Sequence, residues 1–145
     1  MIWGPMTNTN AGTENRSYAR YRFDPSLIEK QGRSVEVILA ERLCDSARTK
    51  LKEDGSLPLL SFTELRKILR EQCADQDGYL APQQPIIETV LRLLVSSKTD
   101  SLQLEDILER LLELWATSPW PRHIAIETLE RVLDGAALHG IVQAS

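Results

Sequence analysis

The sequence has few cysteines and no long apolar run, and these two absences exclude several classes of protein. Its 145 residues include only two cysteines, Cys44 and Cys73, too few for the disulfide framework of a small secreted domain. Both stand at positions with helical periodicity, so we expect reduced, buried thiols. The densest apolar stretch, residues 86–95, is interrupted by Glu88 and Arg92 and is shorter than the roughly 20 residues of a membrane span. We expect no membrane partner.

Recognisable catalytic and metal-binding patterns are also missing. Neither His123 nor His139 lies near a nucleophile motif, and there is no glycine-rich phosphate loop. Together with the two cysteines, these histidines are spaced too widely for a structural zinc site. Residues 75–78 resemble part of a calcium-binding loop, but two principal ligand positions of such a loop hold unsuitable residues. We therefore expect no enzymatic activity, no cofactor and no bound metal.

Positive charge is scarce in the second part of the chain. The net charge is -4 overall, and residues 59–145 hold eight basic against thirteen acidic residues, a local net charge of -5. Nucleic-acid binding draws much of its affinity from Lys and Arg that neutralise phosphates, so this region disfavours a nucleic-acid partner. The first residues also lack the basic and apolar parts of a secretion signal, and we expect a cytoplasmic protein. An organelle-targeting peptide, for which the early arginines are also typical, is the less favoured interpretation.

The first 56 residues divide into a tail and a helical segment. Residues 1–22 are polar, contain glycine and proline and have no apolar period, so we expect a flexible tail. Asp24 and Pro25 form a good helix start, which gives a short helix that Gly32 ends, within a helical N-terminal segment over residues 23–56. A stripe of apolar residues then predicts one helix from Ser34 to about Leu51. The stripe consists of Val35, Ile38, Leu39, Leu43, Ala47 and Leu51.

An internal echo at a spacing of 39 residues runs through the rest of the chain. Residues 87–94 return as residues 126–133 with matching apolar positions, and a period of this size is typical of stacked supersecondary units. A capping box at Ser61 and Glu64 predicts a helix from Phe62. We expect two related units, residues 57–100 and 101–145. The predicted helices cover about residues 62–73, 85–95, 104–116 and 122–138, with an extended piece at 57–60 and a short strand at 141–142.

This order of elements resembles the winged-helix fold. Residues 126–133, followed by 136–142, look like the third helix of a winged helix and its first hairpin strand. The resemblance covers about residues 57–145 and implies a mainly α fold with minor β, a helical N-terminal segment and two tandem winged-helix-like units; an all-α helical bundle is the alternative. Families with acidic tandem winged helices, in chromosome-condensing complexes and the second endosomal sorting complex, use them to hold other proteins.

We therefore predict a non-catalytic protein-protein interaction or assembly module that is homo-oligomeric, such as a homodimer. The predicted partner-binding residues are Trp120, which follows a second tryptophan and a proline, and the stripe residues Val35, Leu39 and Leu43. The alternative is a DNA-binding transcriptional or chromosome-associated regulator with a basic N-terminal arm. Its phosphate-binding residues would be Arg16, Arg20, Arg22, Arg33 and Arg122. In the favoured interpretation, Tyr21 and Phe23 instead dock on the core while the arginines stay in water.

Overall fold

The computed structural model of the chain describes residues 17–144. This part of the chain contains seven α-helices and one small antiparallel sheet of three strands, which confirms the mainly α class with minor β. In chain order the elements are β1 (Arg20–Phe23), α1 (Pro25–Lys30), α2 (Val35–Ala40), α3 (Asp45–Asp54), α4 (Phe62–Ile68), α5 (Ile86–Ser96), β2 (Leu102–Gln103), α6 (Leu104–Ala116), α7 (Ile126–Asp134) and β3 (Ile141–Ala144). A π-helical turn, Leu69–Cys73, continues α4, and 3₁₀ turns lie at Leu57–Leu59 and Ala137–His139.

The central strand of the sheet comes from residues that the sequence placed in a tail. The strand order is β2-β1-β3, and β1 pairs with β3 along its whole length, from Arg20 opposite Ala144 to Phe23 opposite Ile141. Alternate side chains of a strand point to opposite faces, and here Tyr21 and Phe23 are buried. The predicted tail is therefore wrong for residues 20–22, whereas the predicted docking of Tyr21 and Phe23 on the core is confirmed. Residues 1–16, including Arg16, lie outside the described residues.

The single helix predicted from Ser34 to Leu51 is two helices, because the chain bends between Ala40 and Asp45. The bend is held by Arg48 of α3, whose guanidinium donates hydrogen bonds to three backbone carbonyls at and beyond the end of α2. A cation at this position also interacts favourably with the negative end of the helix dipole. The sequence shows the apolar period on both sides of the bend, but not the bend itself.

The apolar stripe across this bend faces the core and not a partner. Val35, Leu39 and Leu43 are 3 %, 0 % and 4 % exposed, because α2, the bend and α3 all turn their apolar side toward the rest of the chain. The prediction that these three residues bind a partner is therefore corrected. They hold the N-terminal helices on the core and are not available on the surface of the folded chain.

Several local predictions agree with the structure, whereas the conformation of residues 57–59 and the length of the last helix differ from the predictions. The Ser61–Glu64 capping box is present and begins α4, but residues 57–59 form a 3₁₀ turn in place of an extended piece. The last helix is shorter than predicted, Ile126–Asp134, and the closing strand is present as β3. The 39-residue echo relates α4 and α5 to α6 and α7, and matching positions are buried in both pairs of helices: Leu65 and Leu104, Val90 and Leu129, Leu94 and Leu133.

One hydrophobic core joins these elements. The buried cluster runs from Tyr21 in β1 to Ile141 in β3 and includes residues from both helix pairs, with Trp115 as its largest side chain. Among residues 17–144, no helix combines the length and the apolar character needed to cross a bilayer.

Candidate interaction groove

A groove of about 1060 Å³ lies beside α2, α3 and the beginning of α4. Its least exposed lining residue is Leu65, at 1 %, and Ala40 and the partly buried Phe62 line it as well. The Phe62 ring stacks on Phe23, with 6.4 Å between the ring centroids. This contact anchors the floor of the groove to the central strand of the sheet.

Two large apolar side chains at the groove are exposed to solvent. Val37 of α2 is 55 % exposed and Leu59 of the 3₁₀ turn is 81 % exposed. A single exposed apolar side chain on a protein surface needs no explanation, but two at one concave patch make the patch a candidate binding surface. Val37 and Leu59 are the residues of this site that the sequence prediction missed. Two features of the sequence could have pointed to them. Val37 lies outside the apolar stripe of its helix, and Leu59 belongs to a short apolar run around Pro58.

The segment between α3 and α4, which carries Leu59, forms one wall of the groove. The local sequence fixes both ends of this segment. Gly55 ends α3 in the left-handed conformation, with φ of 72°, which turns the chain toward the 3₁₀ turn. The capping box then begins α4: the Ser61 backbone N–H donates to Glu64 Oε1 at 3.0 Å, and the Glu64 N–H donates to Ser61 Oγ at 3.2 Å. Hydrogen bonds from the Ser61 backbone N–H and side chain to the Glu64 carboxylate lower the pKa of Glu64 from its ordinary value. The wall that carries Leu59 is thus held between two helix ends.

Charges of both signs border the groove. Glu36 and Glu41 lie on the side of α2, and Arg48 and Lys52 lie on the side of α3. Arg48 is already bonded to the backbone of the bend. Glu36, Glu41 and Lys52 are exposed, and none of the ion pairs within residues 17–144 involves them. The rim therefore offers two acids and one base for contacts with another molecule.

The interior of the groove offers little to a small polar ligand. Five buried side-chain atoms in the described part of the chain lack a hydrogen-bond partner, and none of their residues lines the groove. Within the same residues, no cluster of His, Cys, Asp or Glu has the arrangement of a metal site. The groove thus combines apolar lining residues with exposed charges, a combination typical of protein-protein contacts, in which an apolar centre is surrounded by a polar rim.

Trp120, the other predicted partner-binding residue, is exposed but does not line the groove. It lies in the connection between α6 and α7 and is 83 % exposed. Nearby, the Arg122 guanidinium stacks over the Trp115 ring at 4.4 Å from the ring centroid. Trp115 is in the core, so this contact holds the connection on the body of the protein. A role for Trp120 in partner binding stays a prediction.

The arginines predicted for the DNA-binding alternative are bonded to the protein itself wherever the structure describes them. The contacts are Arg20 with Ser101, Arg22 with Asp24, Arg33 with Gln31 and Leu138, and Arg122 with Pro82 and Gln84. Arg20 and Arg22 belong to β1 and do not extend from a free arm.

Compared with known proteins, the chain matches no family model, no curated protein and no solved structure.

Proposed function

We propose that this protein is a non-catalytic assembly module that forms a homodimer through the groove beside α2, α3 and α4. The observation that carries the proposal is that one patch holds both a protruding apolar side chain, Leu59, and an apolar hollow floored by Leu65 and Phe62. A two-fold dimer joins the same patch of each copy, so the patch has to be complementary to itself. Leu59 of each copy can then enter the hollow of the other.

The charges at the rim support the same arrangement. Glu36 and Glu41 line the hollow from α2 and its end, and Lys52 lines it from α3, so a two-fold axis can bring the acids of each copy toward the base of its partner. Such pairs at the rim of an interface contribute more to orientation and association rate than to affinity. The partner that best fits the patch is therefore a second copy of this chain.

Sedimentation velocity over a range of protein concentrations tests the proposal with the variant Leu59→Glu. Burial of a leucine side chain contributes about 1.5–3 kcal/mol, and the symmetric contact loses it twice, so we expect the dimer dissociation constant to rise at least about tenfold. Leu138→Glu is the matched control, because Leu138 is also a largely exposed leucine, 69 %, but lies on the Ala137–His139 turn. A wild-type protein that stays monomeric, or equal effects of the two variants, would overturn the proposal.

In place of the predicted second unit of residues 101–145, we further propose that residues 86–144, together with β1, form a winged-helix-like unit. Supporting this, α5, β2, α6, α7 and β3 follow one another in the order helix, strand, helix, helix, strand. β1 lies antiparallel beside β3 and also pairs with β2, the place of the returning strand of the wing. In this proposal β1 supplies the middle strand between β2 and β3, which the chain after residue 101 does not itself provide.

The DNA-binding alternative has less support. In a winged-helix-like unit α7 would be the helix presented to DNA, and its exposed residues include Glu127 and Asp134. Carboxylates on that face repel phosphates and suit few base edges. The alternative remains a separate hypothesis, and its test is given with the predictions below.

A further inference from the structure

The two cysteines, 29 residues apart in the sequence, meet at the junction of two helices. Their Sγ atoms are 2.8 Å apart, and the backbone N–H of Cys44 donates a hydrogen bond to Cys73 Sγ at 3.1 Å. Both thiols are free. Cys44 is the residue before the first turn of α3, and Cys73 ends the π-helical turn that continues α4. An S–S bond is about 2.04 Å long, so only about 0.8 Å separates this contact from a bond.

The surroundings of the two thiols are unequal. Cys44 stands at the N-terminus of a ten-residue helix, where backbone N–H groups and the helix dipole favour a thiolate. Burial opposes its ionisation, but hydrogen bonds from Cys73, Ser46 and backbone N–H groups outweigh burial and hold the pKa of Cys44 below its ordinary value. Burial raises the pKa of Cys73, which also donates its hydrogen to Cys44. These surroundings favour the thiolate form at Cys44 and the protonated form at Cys73.

A second pocket gives Cys44 access to solvent. The pocket has a volume of about 470 Å³ and is lined by Cys44, Ser46, Tyr79 and Arg92, among other residues. Cys44 is 8 % exposed, whereas Cys73 is fully buried and does not line the pocket. The Tyr79 hydroxyl is buried and has no hydrogen-bond partner within the described residues. An incoming molecule therefore meets Cys44 before Cys73.

We propose that Cys44 and Cys73 form a reversible redox site that exchanges with low-molecular-weight disulfides. The Cys44 thiolate attacks one sulfur of a disulfide RSSR and forms the mixed disulfide Cys44 Sγ–S–R. The other half leaves as RS⁻, which takes up the proton that Cys44 lost and becomes RSH. Cys73 then loses its proton and attacks Cys44 Sγ; the Cys44–Cys73 bond forms, and a second RS⁻ leaves and takes that proton. The protein dithiol is oxidised by two electrons, and RSSR is reduced to two RSH.

The experiment treats the full chain with glutathione disulfide, blocks remaining thiols with N-ethylmaleimide and measures the intact mass. We expect the mass to fall by two hydrogens with no maleimide added, and trypsin to release residues 43–48 disulfide-linked to residues 71–92. Because the bond closes a loop of about 30 residues, we also expect the thermal midpoint to rise by about 5–10 °C, and dithiothreitol to reverse the rise. Two maleimide additions after oxidation, or a disulfide between two chains, would overturn the proposal.

Two matched variants test the order of attack. Cys73→Ser should stop at a mixed disulfide that carries one glutathione on Cys44, because the resolving thiol is missing. Cys44→Ser should react at least about tenfold more slowly, because the remaining thiol is buried and favours its protonated form. Equal rates for the two variants would contradict the assigned roles. The wild-type peptide map does not depend on either variant folding, and none of these results depends on the proposed dimer.

Discussion

The Tyr21 hydroxyl of β1 donates a 2.6 Å hydrogen bond to Asp134 Oδ1 at the end of α7. Gln143 of β3 donates to the same carboxylate oxygen at 2.9 Å, so one carboxylate joins α7 and β3 to β1, which lies far from both in the sequence. We expect Tyr21→Phe to lower the free energy of unfolding by about 1–2 kcal/mol, because a hydrogen bond to a charged group is lost while Asp134 can regain water. Urea denaturation measures the change. Tyr18→Phe is the control: its hydroxyl bonds Glu127 at the surface at 3.1 Å, so a loss equal to that of Tyr21→Phe would contradict the prediction.

The raised pKa of Tyr21 also allows a prediction of how the free energy of unfolding changes at alkaline pH. Burial, together with the hydrogen bond to Asp134, raises the pKa of Tyr21 above its ordinary value. The unfolded chain therefore loses this proton first, near pH 10, and the stability that the neutral phenol contributes below pH 10 is lost as the pH rises further. Urea midpoints measured between about pH 8 and pH 11 should fall less steeply for Tyr21→Phe than for the wild type. Parallel curves would contradict the prediction.

Gly140 is expected to resist substitution more strongly than Gly55. Both adopt positive φ, 81° and 72°, but a Cβ at Gly140 would lie 2.6 Å from Phe23 Cε1, whereas one at Gly55 meets nothing within 4 Å. Gly55→Ala should therefore lose about 1 kcal/mol from conformational strain alone. Gly140→Ala should lose about 2–3 kcal/mol, because the clash with Phe23 is added. Thermal or urea unfolding of the two variants measures the difference, and equal losses would show that the Phe23 contact is unimportant.

Signals that act within a few residues could be predicted from the sequence. Asp24 caps α1 through the backbone N–H of Ser26, and the Ser61–Glu64 capping box begins α4, because both interactions close within one helical turn. The bend between α2 and α3 could not be predicted in the same way. Leu39 and Leu43 keep a helical spacing across it, so the apolar period continues where the backbone does not.

Contacts between distant parts of the chain account for the rest of the differences. The alternation of Tyr21 and Phe23 showed that two side chains pack inward, but the strand partners lie about 80 and 120 residues away, and no local signal specifies them. The groove is hidden for the same reason. Leu59 has the same sequence character as Leu65, yet the fold leaves one 81 % exposed and buries the other.

Charge reversal at the groove should separate specific pairing from general charge effects. Because the proposed dimer brings acids of one copy toward the base of the other, Glu36→Lys and Lys52→Glu should each weaken dimerisation by about 0.5–1 kcal/mol at low salt. The double variant should recover most of the loss, since it exchanges the charges and keeps the pairing. Sedimentation of the four proteins gives the coupling. Additive losses in the double variant would mean that these residues do not meet across the interface.

Nucleic-acid binding is the test that separates the two functional hypotheses. Fluorescence anisotropy of a labelled random-sequence duplex, titrated at low and near-physiological salt, should show no binding at the higher salt, because the exposed face of α7 is acidic. Binding that weakens with salt and is lost when Arg16, Arg22 and Arg33 become alanine would favour the DNA-binding alternative, since each phosphate contact adds to the salt dependence.

The most direct test of the central claim is hydrogen-deuterium exchange of the wild-type protein at low and high concentration. If the groove is the dimer interface, amides of residues 35–41 and 57–65 will exchange more slowly at high concentration, and the region around Trp120 will not change. Protection confined to the Trp120 region would place the interface elsewhere. Identical exchange at both concentrations, with a monomeric mass throughout, would contradict the homodimer itself.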